Sequence, residues 1–158
     1  EGVNQGVEFE AVLQAADRFQ LTASVGLLDA EFEDYVNGSG EDLDGRDQAQ
    51  APGYQFYLAA DYRFSQALGL NISIEGRDDY YFSDGHAEQS PSYALVGSAL
   101  RYSRENWELS LWGRNLGDKD YFVRGFSFPN DPRDGYTATR WTQLGAPRQL
   151  GMTAKISF

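Results

Sequence analysis

The sequence holds 158 residues with 13 basic and 24 acidic side chains, a net charge of -11, no cysteine and one histidine. So acidic a chain is unsuited to nucleic acid, whose phosphates call for Lys and Arg, and without cysteine there are no disulfide scaffolds or thiolate metal sites. No run of 18 apolar residues exists and Glu1–Gly6 lacks the pattern of a signal peptide, so a membrane protein of this composition has to be a β-barrel.

Val7, Phe9, Ala11 and Leu13 alternate with Glu8, Glu10, Val12 and Gln14. Beyond Ala16-Asp17-Arg18, Phe19, Leu21, Ala23, Val25 and Leu27 alternate with Gln20, Thr22, Ser24 and Gly26. A period of two predicts two strands and a tight turn. A helix over Ala11–Leu21 is the competing reading, opposed by the Thr, Ser and Gly content. From Glu33 to Gly53 the chain is acidic, rich in Gly and without period, which predicts a long loop. The pattern then repeats, with Tyr54, Phe56, Leu58, Ala60, Tyr62 and Phe64 on one face, a turn at Ser65-Gln66-Ala67, and Leu68, Leu70, Ile72 and Ile74 on the next strand. A loop over about 83–91, a fifth strand over about 92–102, a turn at 103–106 and a sixth strand from Trp107 follow. In the fifth, Leu95 and Val96 put apolar groups on both faces. A third long connection over about 122–144 leads to a terminal strand from Leu150 to Phe158.

Connections thus alternate short and long through seven strands, as in outer-membrane barrels with tight turns on one side and long loops on the other. On the apolar face, aromatics gather beside the short turns (Phe19, Tyr62, Phe64, Tyr102, Trp107 and Phe158), with a second set beside the long loops at Phe32, Tyr54 and Phe56. Tyr54 to Phe64 rises about 33 Å, or roughly 25 Å when tilted, matching the apolar band of such barrels. A soluble β-sandwich would instead collect its aromatics mid-strand and would have no reason to alternate its loop lengths. The pattern predicts an all-β, antiparallel up-and-down transmembrane barrel. Its polar face cannot pack a dry seven-stranded interior, so the chain reads as a piece of a larger barrel.

Arg114-Asn115-Leu116-Gly117-Asp118-Lys119-Asp120-Tyr121 resembles the Asn-Leu-Phe-Asp-x-x-Tyr element of TonB-dependent outer-membrane receptors, with Gly117 in place of the usual Phe. Gly145-Ala146-Pro147-Arg148 is similar to the Gly-x-Pro-Arg start of that family's last strand, and Gly6-Val7-Glu8-Phe9-Glu10 to its Gly-x-Glu-x-Glu strand opening. Leu27–Phe32 and Ala51–Tyr62 resemble further family segments in the same order, so that the likeness spans nearly the whole chain. The family motif residues are then Asn115, Leu116, Asp118, Tyr121, Gly145, Pro147, Arg148 and Phe158.

The resemblance implies that residues 1–158 are about the last seven strands of a 22-stranded barrel in the outer membrane of a Gram-negative bacterium, with plug domain, TonB box and earlier strands upstream. It implies import of a scarce solute, a ferric siderophore or similar metal chelate, driven by TonB through the N-terminal region. Partners would be outer-membrane lipid and lipopolysaccharide, the small-molecule substrate, and the barrel-assembly machinery reading Phe158. Cobalamin or oligosaccharide uptake stays open, as does a small structural or adhesin barrel, against which an odd strand number counts.

Glu8, Glu10, Asp61, Arg63, Glu75, Arg77, Glu108 and Arg114 fall on the polar face and should line the lumen, either as a ladder of cross-strand ion pairs and hydrogen bonds or also holding a plug. Tyr80, Tyr81, Phe126, Phe128, Arg133, Tyr136, Arg140 and Trp141 offer aromatic and guanidinium surfaces beside the long loops and are the candidates for substrate contact. Asp42, Asp44 and Asp47 have the spacing of some calcium loops. Arg46 and the missing later ligands favour a solvated acidic loop instead, so no metal site is assigned. His86 alone builds no multi-His metal site, and no Gly-x-Ser-x-Gly turn accompanies it, so neither an enzyme nor a cofactor is expected.

Overall fold

A computed structural model describes all 158 residues. Eleven strands form: β1 (Gly2–Ala16), β2 (Phe19–Phe32), β3 (Tyr54–Arg63), β4 (Leu68–Arg77), β5 (Tyr80–Tyr81), β6 (Gln89–Ser90), β7 (Tyr93–Arg104), β8 (Trp107–Arg114), β9 (Phe122–Phe128), β10 (Thr139–Leu144) and β11 (Gln149–Ile156). Seven of them make one antiparallel sheet in the order β1-β2-β3-β4-β7-β8-β11, while β5/β6 and β9/β10 are separate hairpins inside the long connections. β1 and β11 each have a neighbour on one side only, so the sheet is open along both edges. No helix is long and apolar enough to cross a membrane.

The register carries the sequence alternation across the whole sheet. One row runs Leu13, Leu21, Ala60, Ile72, Ser98, Gly113, Leu150. The next row, on the opposite face, runs Gln14, Gln20, Asp61, Asn71, Ala99, Trp112, Gly151. Because side chains alternate faces, a one-residue slip anywhere would have mixed the two sets. None occurs, and the only irregularity in the large sheet is at Gln14/Ala16, where β1 enters its turn.

The apolar face is the exposed one. Phe9 is 60% exposed, Ile72 49% and Met152 65%, whereas buried Ala59 and Leu95 lie on the polar side. A soluble sandwich would bury that apolar face against a second sheet. Here nothing covers it, as a surface facing hydrocarbon requires. The face turns polar above Val7 and Leu27, where Gln5 donates to the Asp29 carboxylate at 2.8 Å. Below, Tyr62 lies 6.4 Å from Phe19 and 5.0 Å from Phe64, and Tyr102 lies 5.5 Å from Trp107, which gathers the turn-side aromatics into one belt.

Three expectations change and a fourth is sharpened. Phe32 pairs with Gly2, in the rows of the polar face, and stacks on Tyr35 at 4.6 Å, so it leaves the upper aromatic set to Tyr54 and Phe56. The connection over 122–144 folds into the β9/β10 hairpin, which returns to its own side and leaves the sheet at seven strands. The terminal strand ends at Ile156 rather than Phe158, which stands fully exposed beyond it. Leu95 is buried on the inner wall while Val96 is 39% exposed on the outer face, which resolves the two-sided pattern of β7.

Candidate functional site

All the predicted lumen residues share the polar face, where cross-strand hydrogen bonds outnumber ion pairs. Asp61 accepts from the Asn71 amide at 2.9 Å, Arg63 donates to the Asp17 carbonyl at 2.9 Å, and Arg114 lies 5.3 Å from the Trp112 ring. Arg77 sits between the rings of Tyr80 and Tyr93, at 5.8 and 5.5 Å. The one ion pair on this face is Arg101–Glu108 at 3.4 Å. The contacts across this wall are therefore hydrogen bonds more than ion pairs: Asp61–Asn71 and Ser103–Glu108 join neighbouring strands beside Arg101–Glu108. Glu8, Glu10 and Glu75 line one open concavity of ≈ 520 Å³ with Arg77, below Tyr121 and Val123.

Seven of the eight motif residues lock the base of the last long connection. Asn115 is buried at 5% exposure and adopts φ 47, the left-handed region in which Asn is tolerated best among side-chain-bearing residues. Its amide donates to the carbonyls of Lys119 at 2.9 Å and Ala146 at 3.1 Å, and its oxygen accepts from the Lys119 N–H at 2.9 Å. Asp118 accepts from the Arg148 N–H at 2.9 Å and faces its guanidinium at 3.5 Å. The Gly145 N–H donates to the Tyr121 carbonyl at 2.8 Å, and a side chain at Gly145 would collide with the Tyr121 ring. Leu116 packs over Gly113 and Leu150. Pro147 lines the concavity beside Asn115. Phe158 lies at the other end of the sheet, outside this lock.

The three long connections are joined to one another. From the loop after β2, Tyr35 donates to the Asp84 carboxylate at 2.7 Å and Asn37 to the Asp84 carbonyl at 3.0 Å. The Gln50 amide donates to the Phe82 carbonyl at 3.0 Å, and Arg46 donates to the carbonyls of Ser83 at 2.7 Å and His86 at 2.9 Å. Hydrogen bonding to Tyr35 holds the Asp84 carboxyl below its ordinary range and pushes the Tyr35 hydroxyl above its own. The β5/β6 hairpin in turn meets β9/β10: the Phe82 ring sits on Gly125 where a side chain would clash, Arg140 pairs with Glu88 at 2.7 Å, and Ser90 donates to the Phe122 carbonyl at 3.3 Å.

The candidate substrate residues therefore divide. Phe126, Phe128 and Trp141 share the open face of β9/β10 at 39%, 41% and 47% exposure, with Phe126 and Phe128 stacked at 5.4 Å. Tyr136 at the hairpin tip is also exposed. Tyr80 is buried and Tyr81 lies under the Arg46 guanidinium at 3.9 Å, so both support the loops rather than presenting a surface. Arg133 is held by Asp131 and Arg140 by Glu88. The calcium-like spacing is used internally: Asp42 accepts from the Asp44 N–H at 3.1 Å and Asp44 from the Asp34 N–H at 2.9 Å, and no group of three acidic or His residues converges. The roles of Arg46 and Asp84 carry no local sequence signal, because their partners lie 37 to 49 residues away.

Residues 1–116 match the family model described as TonB dependent receptor-like, beta-barrel. The ferrioxamine receptor of Yersinia enterocolitica is 27% identical over 162 residues, which cover 98% of this chain and 21% of that receptor. The ferric yersiniabactin uptake receptor FyuA from Yersinia pestis superposes with a TM-score of 0.80 at 20% identity, over 99% of this chain and 24% of that one. The siderophore receptor PiuA from Acinetobacter baumannii superposes at 0.76 and 21% identity, over 97% and 21%. The chain thus spans about a fifth of the length of the proteins it matches, and its seven-stranded sheet has the fold of a sector of their barrels.

Proposed function

The chain belongs to the TonB-dependent receptor β-barrel family, and from that premise we propose that it forms the last seven strands of a barrel of about 22 that imports a ferric siderophore or similar metal chelate. Proteins of this family are receptors of the Gram-negative outer membrane rather than enzymes. The observation that carries the proposal is the family match over residues 1–116, joined to a sheet whose exposed face is apolar in every strand. The names of the relatives, all siderophore or ferric-chelate receptors, support a chelate as the cargo.

In this reading the open face of Phe126, Phe128, Tyr136 and Trp141 meets the chelate, with Tyr80, Tyr81, Arg133 and Arg140 holding the loops that carry it. Glu8, Glu10, Asp61, Arg63, Glu75, Arg77 and Arg114 face a plug supplied by the rest of the protein. Carboxylates lacking a basic partner on the wall, such as Glu8 and Glu10, suit hydrogen-bond donors arriving from another domain. TonB acts through the N-terminal region, and Phe158 belongs to the assembly signal at the turn side. The test is growth under iron limitation of a strain lacking the full-length receptor, complemented with and without TonB, on defined ferric chelates. TonB-dependent rescue on one chelate supports the proposal. Rescue on cobalamin or an oligosaccharide alone would replace the cargo, and rescue without TonB would overturn the mechanism.

A further inference from the structure

Arg46 stands out among the arginines of the loop side because its guanidinium bonds the backbone of another connection. Its Nη2 donates to two carbonyls of another connection, Ser83 at 2.7 Å and His86 at 2.9 Å, while its plane covers the Tyr81 ring at 3.9 Å and its Nε is buried without a partner. Removing a guanidinium from water in this way is costly unless its bonds are made, and the planar fork over a ring is a geometry that Lys does not reproduce. The backbone beneath it is equally fixed: the Phe32 N–H donates to the Arg46 carbonyl at 2.9 Å, which ties the residue to the end of β2.

Past Arg46 the contacts continue in one direction. Ser83 and His86 belong to the turn between β5 and β6. That hairpin touches β9/β10 through Phe82 on Gly125 and through Glu88 on Arg140, and the far face of β9/β10 carries Phe126, Phe128 and Trp141. We propose that Arg46 is a positioning residue for the chelate-binding surface: by clamping the β5/β6 turn to the end of β2, it fixes the β9/β10 hairpin at the orientation in which its aromatic face receives the ligand. This rests on the chelate-receptor reading above. The bonds from Tyr35, Asn37 and Gln50 steady the same hairpin, but each of these side chains gives it a single bond, whereas the Arg46 side chain bonds two carbonyls and covers a ring.

The experiment uses the full-length receptor in detergent, a ferric trihydroxamate as probe, binding read by tryptophan quenching, and hydrogen exchange read per peptide. Arg46→Met should weaken binding by about tenfold, within the usual range for coupling between separate sites, with unchanged stoichiometry. Exchange should rise over residues 122–144 but not in β4. Arg46→Lys should fall between Arg46→Met and the natural protein. Arg140→Met should weaken binding through the same route, so that the double variant is no weaker than the worse single one. Binding by Arg46→Met within twofold of the natural receptor, unchanged exchange over 122–144, or fully additive effects in the double variant would each overturn the proposal. A natural receptor that binds no ferric chelate would instead sink the chelate reading, and the exchange measurement would still decide whether Arg46 holds the hairpin.

Discussion

Replacing Asn115 by alanine removes three hydrogen bonds at a site that is 5% exposed: two donated by the amide to Lys119 and Ala146, and one accepted from the Lys119 N–H. Three bonds at about 1 kcal/mol each, together with about 1 kcal/mol for holding alanine in the left-handed region, put the local loss near 4 kcal/mol. The Lys119 amide reports it directly, because its only side-chain acceptor is Asn115. At about 1.4 kcal/mol per factor of ten, native-state exchange of that amide in the full-length receptor should speed up by close to a thousandfold, while amides of β3 and β4 stay protected. Asn115→Asp separates the parts. It keeps the acceptor and tolerates the backbone conformation, but loses both donated bonds, so it should fall between the two. If Asn115→Ala left Lys119 exchange within threefold of the natural rate, the lock at the base of the last connection would be wrong.

Ile72 lies exposed near the middle of β4, and Ile72→Lys should cost about 2–4 kcal/mol in a bilayer, read as the midpoint of urea unfolding from lipid vesicles. Gly125→Val drives a side chain into the Phe82 ring; an overpacking cost of about 1–3 kcal/mol should appear as faster proteolysis within 122–144, with the barrel strands intact. The Tyr35–Asp84 bond predicts its own pH range. Because the folded-state Asp84 carboxyl titrates lower than in the unfolded chain, its contribution is complete at neutral pH and is lost as the pH falls below about 4. Because Tyr35 is raised, its share is lost only as the pH climbs beyond about 10. Exchange of the loop amides around Asp84 should rise at both extremes, and Asp84→Asn should flatten the acid side.

The strands were legible because a barrel wall imposes one physical demand at every position, lipid on one side and polar contacts on the other, which a period of two records directly. That is why the outward row Leu13, Leu21, Ala60, Ile72 reappeared in the register without a slip. The loops answer to no such demand. Phe126 and Phe128 alternate with Gly125 and Ser127, but the ten residues between β9 and β10 hide the hairpin, because hairpin turns are usually recognised by their shortness. Tyr80 has the type of a contact residue, and it is packing against Phe82 and the Phe122 carbonyl, not its sequence, that buries it. Phe32 resembles a girdle residue by type and position at a strand end, but its pairing with Gly2 sets the opposite parity. Asn115 was read as a motif member, but its role as a buried clamp depends on Ala146, 31 residues later.

A barrel wall requires that the exposed apolar face contact lipid while the opposite face lines the lumen. With no natural cysteine in this chain, single spin labels at Ala23, Leu58, Ile72 and Leu111 can be compared with labels at Glu10, Tyr57, Ser73 and Ser110 in the full-length receptor in vesicles. The first four should relax with oxygen dissolved in the bilayer and be silent to a water-soluble nickel chelate, and the second four should lack the oxygen response. Nickel access at Leu58 and Ile72, or oxygen contact at Tyr57 and Ser73, would turn the sheet inside out and contradict the barrel.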